Sequence, residues 1–280
     1  MRERRISAGV ALMLMAFAPA LAVGQSLMVA SPAIAIDDRS RTGVLTLIND
    51  GIAPVEVSVS TFCGYPVTDS LGRMYLRTFE TVADTMPCAA KWIQSFPRRL
   101  RIDAKSRATV RLLVTPPADL PPGEYWSRIM TSAKGGELAV SGVPDGGAIQ
   151  ATLALEIRSV IGLYYRKGNP RTGVVVEELR ASVRPDSLIG RVRLTRQGNA
   201  AFVGSIKTSL RDRTGKVRAT GLLPLGVYYT LEPVFSLPID GLPKGQYQLA
   251  VEAVSSRPDL PPEVLLPTTP VRQTIDVTLP

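Results

Sequence analysis

The chain of 280 residues contains no histidine. That absence removes Ser-His-Asp and Cys-His catalysis, together with histidine-ligated zinc and iron sites. Cysteine is nearly as scarce: the two present, Cys63 and Cys88, are too few for an all-thiolate zinc site. No G-x-S-x-G, S-x-x-K, G-x-x-x-x-G-K-[ST] or G-x-G-x-x-G occurs, so the common nucleophile and phosphate-binding motifs are missing. Acidic residues are present in number, but nothing in their spacing singles out a carboxylate pair for hydrolysis. No enzymatic activity, metal or cofactor is expected.

Long apolar runs are also missing, except at the N-terminus. There, "MRERR" precedes "ISAGVALMLMAFAPALA" and ends in Ala20-Leu21-Ala22, the order of a cleaved secretory signal. An uncleaved membrane anchor is the alternative. Elsewhere no stretch approaches the ~18 apolar residues that a membrane helix needs. No cysteine follows the cleavage site, which argues against a lipid anchor there. Residues 1–22 are therefore expected to be a signal peptide, and the mature chain to be exported without a transmembrane segment. Removing them takes three arginines and one glutamate from 33 basic and 24 acidic residues, leaving a net charge of +7. A basic exported chain suits acidic partners or an anionic envelope surface, while export disfavours nucleic acid. In an oxidising compartment two cysteines read as one disulfide, Cys63–Cys88, which stabilises by roughly 3–4 kcal/mol. Two free buried thiols are the alternative.

What fills the mature chain is alternation. Val55, Val57 and Val59 face one way, with Glu56, Ser58 and Ser60 opposite. The same period of two appears at Ala108, Val110, Leu112 and Val114, and at Phe202, Ile206 and Leu210. It returns at Tyr247, Leu249, Val251 and Ala253, and at Ile275, Val277 and Leu279. Such runs are half-buried strands. Gly and Pro, 23 of each, punctuate them as antiparallel turns require. Only "TFETVADT" before Pro87 offers a short helical turn or two. The fold class is all-β.

One phrase occurs twice. Leu-Pro-x-Gly-x-Tyr starts at Leu120 and again at Leu242, 122 residues later. In immunoglobulin-like sandwiches a tight corner precedes a strand whose tyrosine hydrogen-bonds back across it. Tyr125 and Tyr247 would be two such corner tyrosines, each in its own sandwich. Two coincidental Pro-Gly turns are the alternative. Two immunoglobulin-like domains in tandem are expected, 23–168 and 169–280, divided near "YYRKGNPRTG".

In the first domain "SPAIAIDDRSRTGVLTLIND", "WIQSFPRRLRIDAKSRATVRLLV", "DLPPGEYWSRIM" and "AIQATLALEIRSVIGLYYR" follow in that order. Over residues 27 to 166 the chain resembles the N-terminal domain of PapD-like periplasmic pilus chaperones. The resemblance implies a periplasmic chaperone that binds pilus or fimbrial subunits, incomplete β-sandwiches, by lending them a strand. An outer-membrane usher is a further implied partner. By position before "LYYR", Leu153, Leu155 and Ile157 match the family's donor-strand residues. Alternation there has a second reading: a last strand covering its own core.

The resemblance breaks at one place. The family holds the subunit's terminal carboxylate with two basic residues, and counting along the same phrases puts them at Ala33 and Gly162, neither of them charged. Arg158 is a substitute on the same strand face as Gly162, about 13 Å away at strand rise. The basic run Arg98, Arg99, Arg101, Lys105, Arg107 and Arg111 is a solvated face or an anionic site. The rival reading of the whole chain is a structural immunoglobulin-like component of a cell-envelope or surface assembly.

Overall fold

The computed structural model describes residues 27–134, 138–141, 150–153 and 156–280. The signal segment 1–22 and Leu155 lie outside them. In the first half the strands are β1 (Leu27–Val29), β2 (Ala33–Asp37), β3 (Thr42–Asn49), β4 (Val55–Thr68), β5 (Met74–Phe79) and β6 (Ile93–Phe96). They continue as β7 (Arg99–Ile102), β8 (Ser106–Val114), β9 (Gly123–Lys134), β10 (Leu138–Ser141), β11 (Gln150–Leu153) and β12 (Glu156–Lys167). The second half holds β13 (Thr172–Val183), β14 (Ser187–Gly198), β15 (Phe202–Asp212) and β16 (Val217–Val227). After them come β17 (Thr230–Leu231), β18 (Val234–Pro238), β19 (Gly245–Val254) and β20 (Val271–Leu279).

Alternation decides which faces meet. Val55, Val57 and Val59 are buried while Glu56, Ser58 and Ser60 are exposed, and Val110, Leu112 and Val114 are buried from the other side. One sheet runs β1-β3-β8-β6, and the facing sheet runs β2-β12-β9-β4-β5, with β7 also paired to β4. Leu45, Leu47, Ile129, Leu163 and Tyr165 lie in the core between them. The second sandwich packs β13-β14 with β17 and β18 against β16-β15-β19-β20 around Leu194, Phe202, Ile206, Leu249 and Val251. The molecule is thus all-β, two sandwiches in tandem. Residues 168–171 connect them.

The two Pro-Gly corners are built alike. The Tyr125 hydroxyl donates to Pro121 O at 2.8 Å, and the Tyr247 hydroxyl to Pro243 O at 2.8 Å. Cys63 and Cys88 are joined in a disulfide, so the two-thiol alternative does not hold in this structure.

One local expectation is met only in part. "TFETVADT" forms no helix: Thr78 and Phe79 pair with Gly64 and Cys63 as the end of β5, bends follow, and a single turn closes where Met86 N–H donates to Ala83 O at 2.9 Å. Sheet pairing at one end and the disulfide at Cys88 limit the segment to that one turn, so tertiary context overrides a weak local preference. The nearest helical element is the single 3-10 turn Ala90–Trp92. No helix among the described residues is long and apolar enough to cross a membrane.

The sandwiches meet over a third cluster, in which Trp126 and Tyr164 pack with Ala201, Val203 and Tyr228. The β4–β5 turn also reaches across: Val234 N–H donates to Gly72 O at 3.2 Å, and Glu232 N–H to Thr68 Oγ1 at 3.0 Å.

Candidate functional site

β12 has a different neighbour on each side. Along its whole length, Glu156 to Lys167, it is antiparallel to β9. On the other side β2 pairs with it in parallel, but only from Gly162 to Arg166. Among the described residues no strand covers that side of Glu156–Ile161. Six residues at strand rise leave about 20 Å of open sheet edge, a template for another chain's backbone.

The odd residues of β12 share a face because side chains alternate along a strand. Ile161, Leu163 and Tyr165 lie in the core of the first sandwich. One turn of the pleat further out, Ser159 and Ile157 are half-buried. The same face therefore serves the protein's own core at one end and loses that cover toward the other. Of the three donor-strand candidates, Ile157 sits here, facing Ala133 of β9. Leu153 lies on β11, its backbone paired with Leu138, and Leu155 is outside the described residues. On the opposite face of β12 the exposed residues are Glu156, Arg158 and Val160.

The open edge ends at Gly162, whose parallel partner on β2 is Ala33. The two positions where the resemblance asks for basic residues are thus neighbours, and both are uncharged. The charge comes from a third strand. Gly162 faces Arg128 across the β9–β12 ladder, and Arg128 is 8% exposed. A Cβ on residue 162 would sit 2.9 Å from Arg128 Nη1; glycine leaves that volume to the guanidinium. Arg128 Nε donates to Gly64 O at 3.0 Å, and Nη2 donates to the Tyr228 hydroxyl at 2.7 Å. The guanidinium carbon lies 5.1 Å from the Tyr228 ring centroid, within cation–π range. The Tyr164 and Tyr228 hydroxyls are 2.8 Å apart beside it.

All these partners are neutral. Among the described residues no carboxylate pairs with Arg128. Burial opposes its charge, but the hydroxyls of Tyr228 and Tyr164 more than offset that, holding its pKa above the usual arginine value. Burial drives the Tyr228 hydroxyl well above the ordinary tyrosine range, so it stays neutral. These hydroxyl and carbonyl partners give the guanidinium hydrogen bonds but no opposite charge, so an arriving carboxylate would add a charge-assisted bond.

Arg158, the substitute considered from sequence, is elsewhere. It is two-thirds of the way out on the open half of β12, paired with its own neighbour Glu156 at 2.9 Å. That guanidinium holds the Glu156 carboxyl below its usual range. The basic run divides among elements: Arg99 and Arg101 are exposed on β7, Arg107 and Arg111 on β8, and Lys105 binds Asp50 at 2.8 Å. Sequence reasoning missed Arg128. Its signal was a charged residue inside "YWSRIM", a strand otherwise buried on both faces.

No protein-family model matches the sequence, and no curated protein matches it. Solved structures do. The YadV chaperone is 15% identical, with 90% of this chain and 99% of that one covered, at a TM-score of 0.44. The CupB2 chaperone of Pseudomonas aeruginosa is 13% identical, covering 90% and 100%, at 0.41. The Salmonella enterica SafB chaperone, solved in complex with SafA pilin, gives 14% identity, 89% and 96% coverage, and 0.39. At such scores these likenesses leave the functional argument to the site itself.

Proposed function

We propose that this chain is a periplasmic chaperone that holds incomplete β-sandwich subunits of a pilus or fimbria by lending them a strand. One observation carries the reading: the open edge of β12 over Glu156–Ile161 stops at Gly162, directly against buried Arg128. An added strand gains main-chain hydrogen bonds along the edge, and its apolar groove receives the donor face on which Ile157 lies. It must end where β2 takes over the same edge. A cation at that point favours a terminal carboxylate over a terminal amine, so the added strand runs parallel to β12. Leu153 and Leu155 extend the donor face in this reading, and Arg128 performs the task that Ala33 and Gly162 lack the charge for. The two domains divide near residue 168, and the second braces Arg128 through Tyr228. The disulfide and the signal segment fit an oxidising, extracytoplasmic compartment.

The test is affinity purification of the tagged mature protein from its native periplasm, with mass spectrometry of what it holds. A β-rich subunit in equal amount is expected, absent from the Ile157→Arg preparation. Arg128→Gln should weaken retention about 30-fold or more, the effect of removing one partner of a buried charge pair. Thermal melts of the free variants separate lost folding from lost binding. Retention unaffected by either change, or recovery of nothing but further copies and envelope components, would favour the structural rival.

A further inference from the structure

The sheet β1-β3-β8-β6 turns its inner face to the core, and its outer face is unusual in what it exposes. Met28, Val44, Phe96 and Leu113 are all solvent-exposed there, Val44 at 55% and Phe96 at 52%. Between them stand Arg107 and Arg111. The register makes this a mixed surface rather than two separate patches. Val44 faces Arg111, which faces Phe96, so one row across three strands reads aliphatic, cationic, aromatic. A second row has Met28 and Arg107 flanking the same residue of β3. The outward positions of these four strands include no acidic residue. Acids at the rim are already engaged: Asp50 by Lys105 at 2.8 Å, and Asp38 by Arg41 at 3.0 Å.

We infer that this face docks on an anionic lipid surface. The charge is complementary to phosphate headgroups, and a guanidinium can reach a phosphate while its aliphatic stem lies along the apolar residues beside it. Four strands at about 4.8 Å spacing make a broad surface, on which Phe96, Leu113, Val44 and Met28 share the exposed face, the apolar side that an interfacial element buries among headgroups. A second copy is disfavoured, because face-to-face pairing would set Arg107 and Arg111 against the same arginines. The face belongs to the sheet opposite β12, so a chain bound along Glu156–Ile161 would leave it accessible.

The experiment is cosedimentation of the full mature protein with phosphatidylglycerol–phosphatidylcholine vesicles and with pure phosphatidylcholine vesicles at low salt. Binding to the anionic vesicles alone is expected, falling as salt is raised. Each arginine near an anionic surface changes partitioning about fivefold, so Arg107→Glu with Arg111→Glu should lower it more than tenfold. Phe96→Ser should weaken it further in the same direction. All three positions are exposed, and unchanged melting curves would show that the variants fold. Ile157→Arg should bind vesicles like the parent, so this outcome does not depend on strand donation. Equal partitioning of parent and double variant, or no sedimentation of the parent, would overturn the inference. So would concentration-dependent self-association without lipid that Phe96→Ser abolishes, which would assign the face to a second copy.

Discussion

Asp212 shows how much one side chain can organise. Its Oδ1 accepts from the Thr214 hydroxyl at 2.6 Å, from Thr214 N–H at 2.9 Å and from Lys216 N–H at 3.1 Å. Its Oδ2 accepts from Arg218 Nε at 2.7 Å. These bonds, the Thr214 hydroxyl first, lower its carboxyl pKa from 3.8 to about 2. A depressed folded-state pKa adds stability that is complete above the unfolded value and vanishes as pH falls through the folded one. Asp212→Asn should therefore flatten the part of the acid limb between 3.8 and about 2, read as urea midpoints across that range. An unchanged limb would deny the turn this role. Its sequence, Asp-Arg-Thr-Gly, announces a turn, and Gly215 supplies the φ of +81° that completes it. The corner tyrosines were legible for the same reason, since each acts on a carbonyl four residues away. Arg128 was not, because its environment is assembled from Gly64, Gly162 and a tyrosine 100 residues distant.

At the scale of elements, alternation revealed the strands and which side of each is buried, because period-two burial is a local property. Pairing is not local. That β2 runs parallel to β12 yet covers only its far half decides where the candidate site begins, and no single segment encodes it. The segment between β5 and β6 makes the same point. Trp126 N–H donates to Pro87 O at 3.0 Å, and Ala89 N–H to Trp126 O at 3.1 Å. These bonds lay the segment along β9, while the disulfide ties its end to β4. The crosslink spans a sequence separation of 25 residues, for which chain entropy predicts about 3.5 kcal/mol of stabilisation. Replacing both cysteines by alanine should lower the unfolding free energy by about that amount in urea titrations. It should also make residues 80–87 cut sooner by protease than the body of the sandwich. A loss below about 1 kcal/mol would mean that the β9 contacts alone hold the segment.

On the scale of the whole molecule, the question is what keeps two sandwiches in one orientation, since Arg128 is braced by a tyrosine of the second. Arg166, near the end of β12, answers most of it. Its Nε donates to Glu124 Oε2 at 2.9 Å, and its Nη1 donates to Glu263 O at 2.7 Å. A further bond runs from Nη2 to Val264 O at 2.5 Å. Glu124 is buried and also accepts from Ala201 N–H at 3.1 Å, so both partners grip the second sandwich. Burial pushes the Glu124 carboxyl above its ordinary 4.5, against the pull of Arg166. Arg166→Met would strand that carboxylate, at a cost of about 3–5 kcal/mol for breaking a buried pair. The sign of the pH dependence follows from the same group. An acid whose folded pKa is raised holds its proton more tightly in the folded state, so the stranded carboxyl penalises folding most where it must ionise. The deficit of Arg166→Met should be largest near neutral pH and shrink as acid approaches 4.5, measured by calorimetry at several pH values. Glu124→Gln in the same background should remove that pH dependence. A deficit equal at every pH would mean that Arg166 acts through the Glu263 and Val264 carbonyls and not through Glu124. If the pair does set the angle between the sandwiches, the variant should also loosen Tyr228 from Arg128 and weaken subunit retention without any change along the open edge of β12.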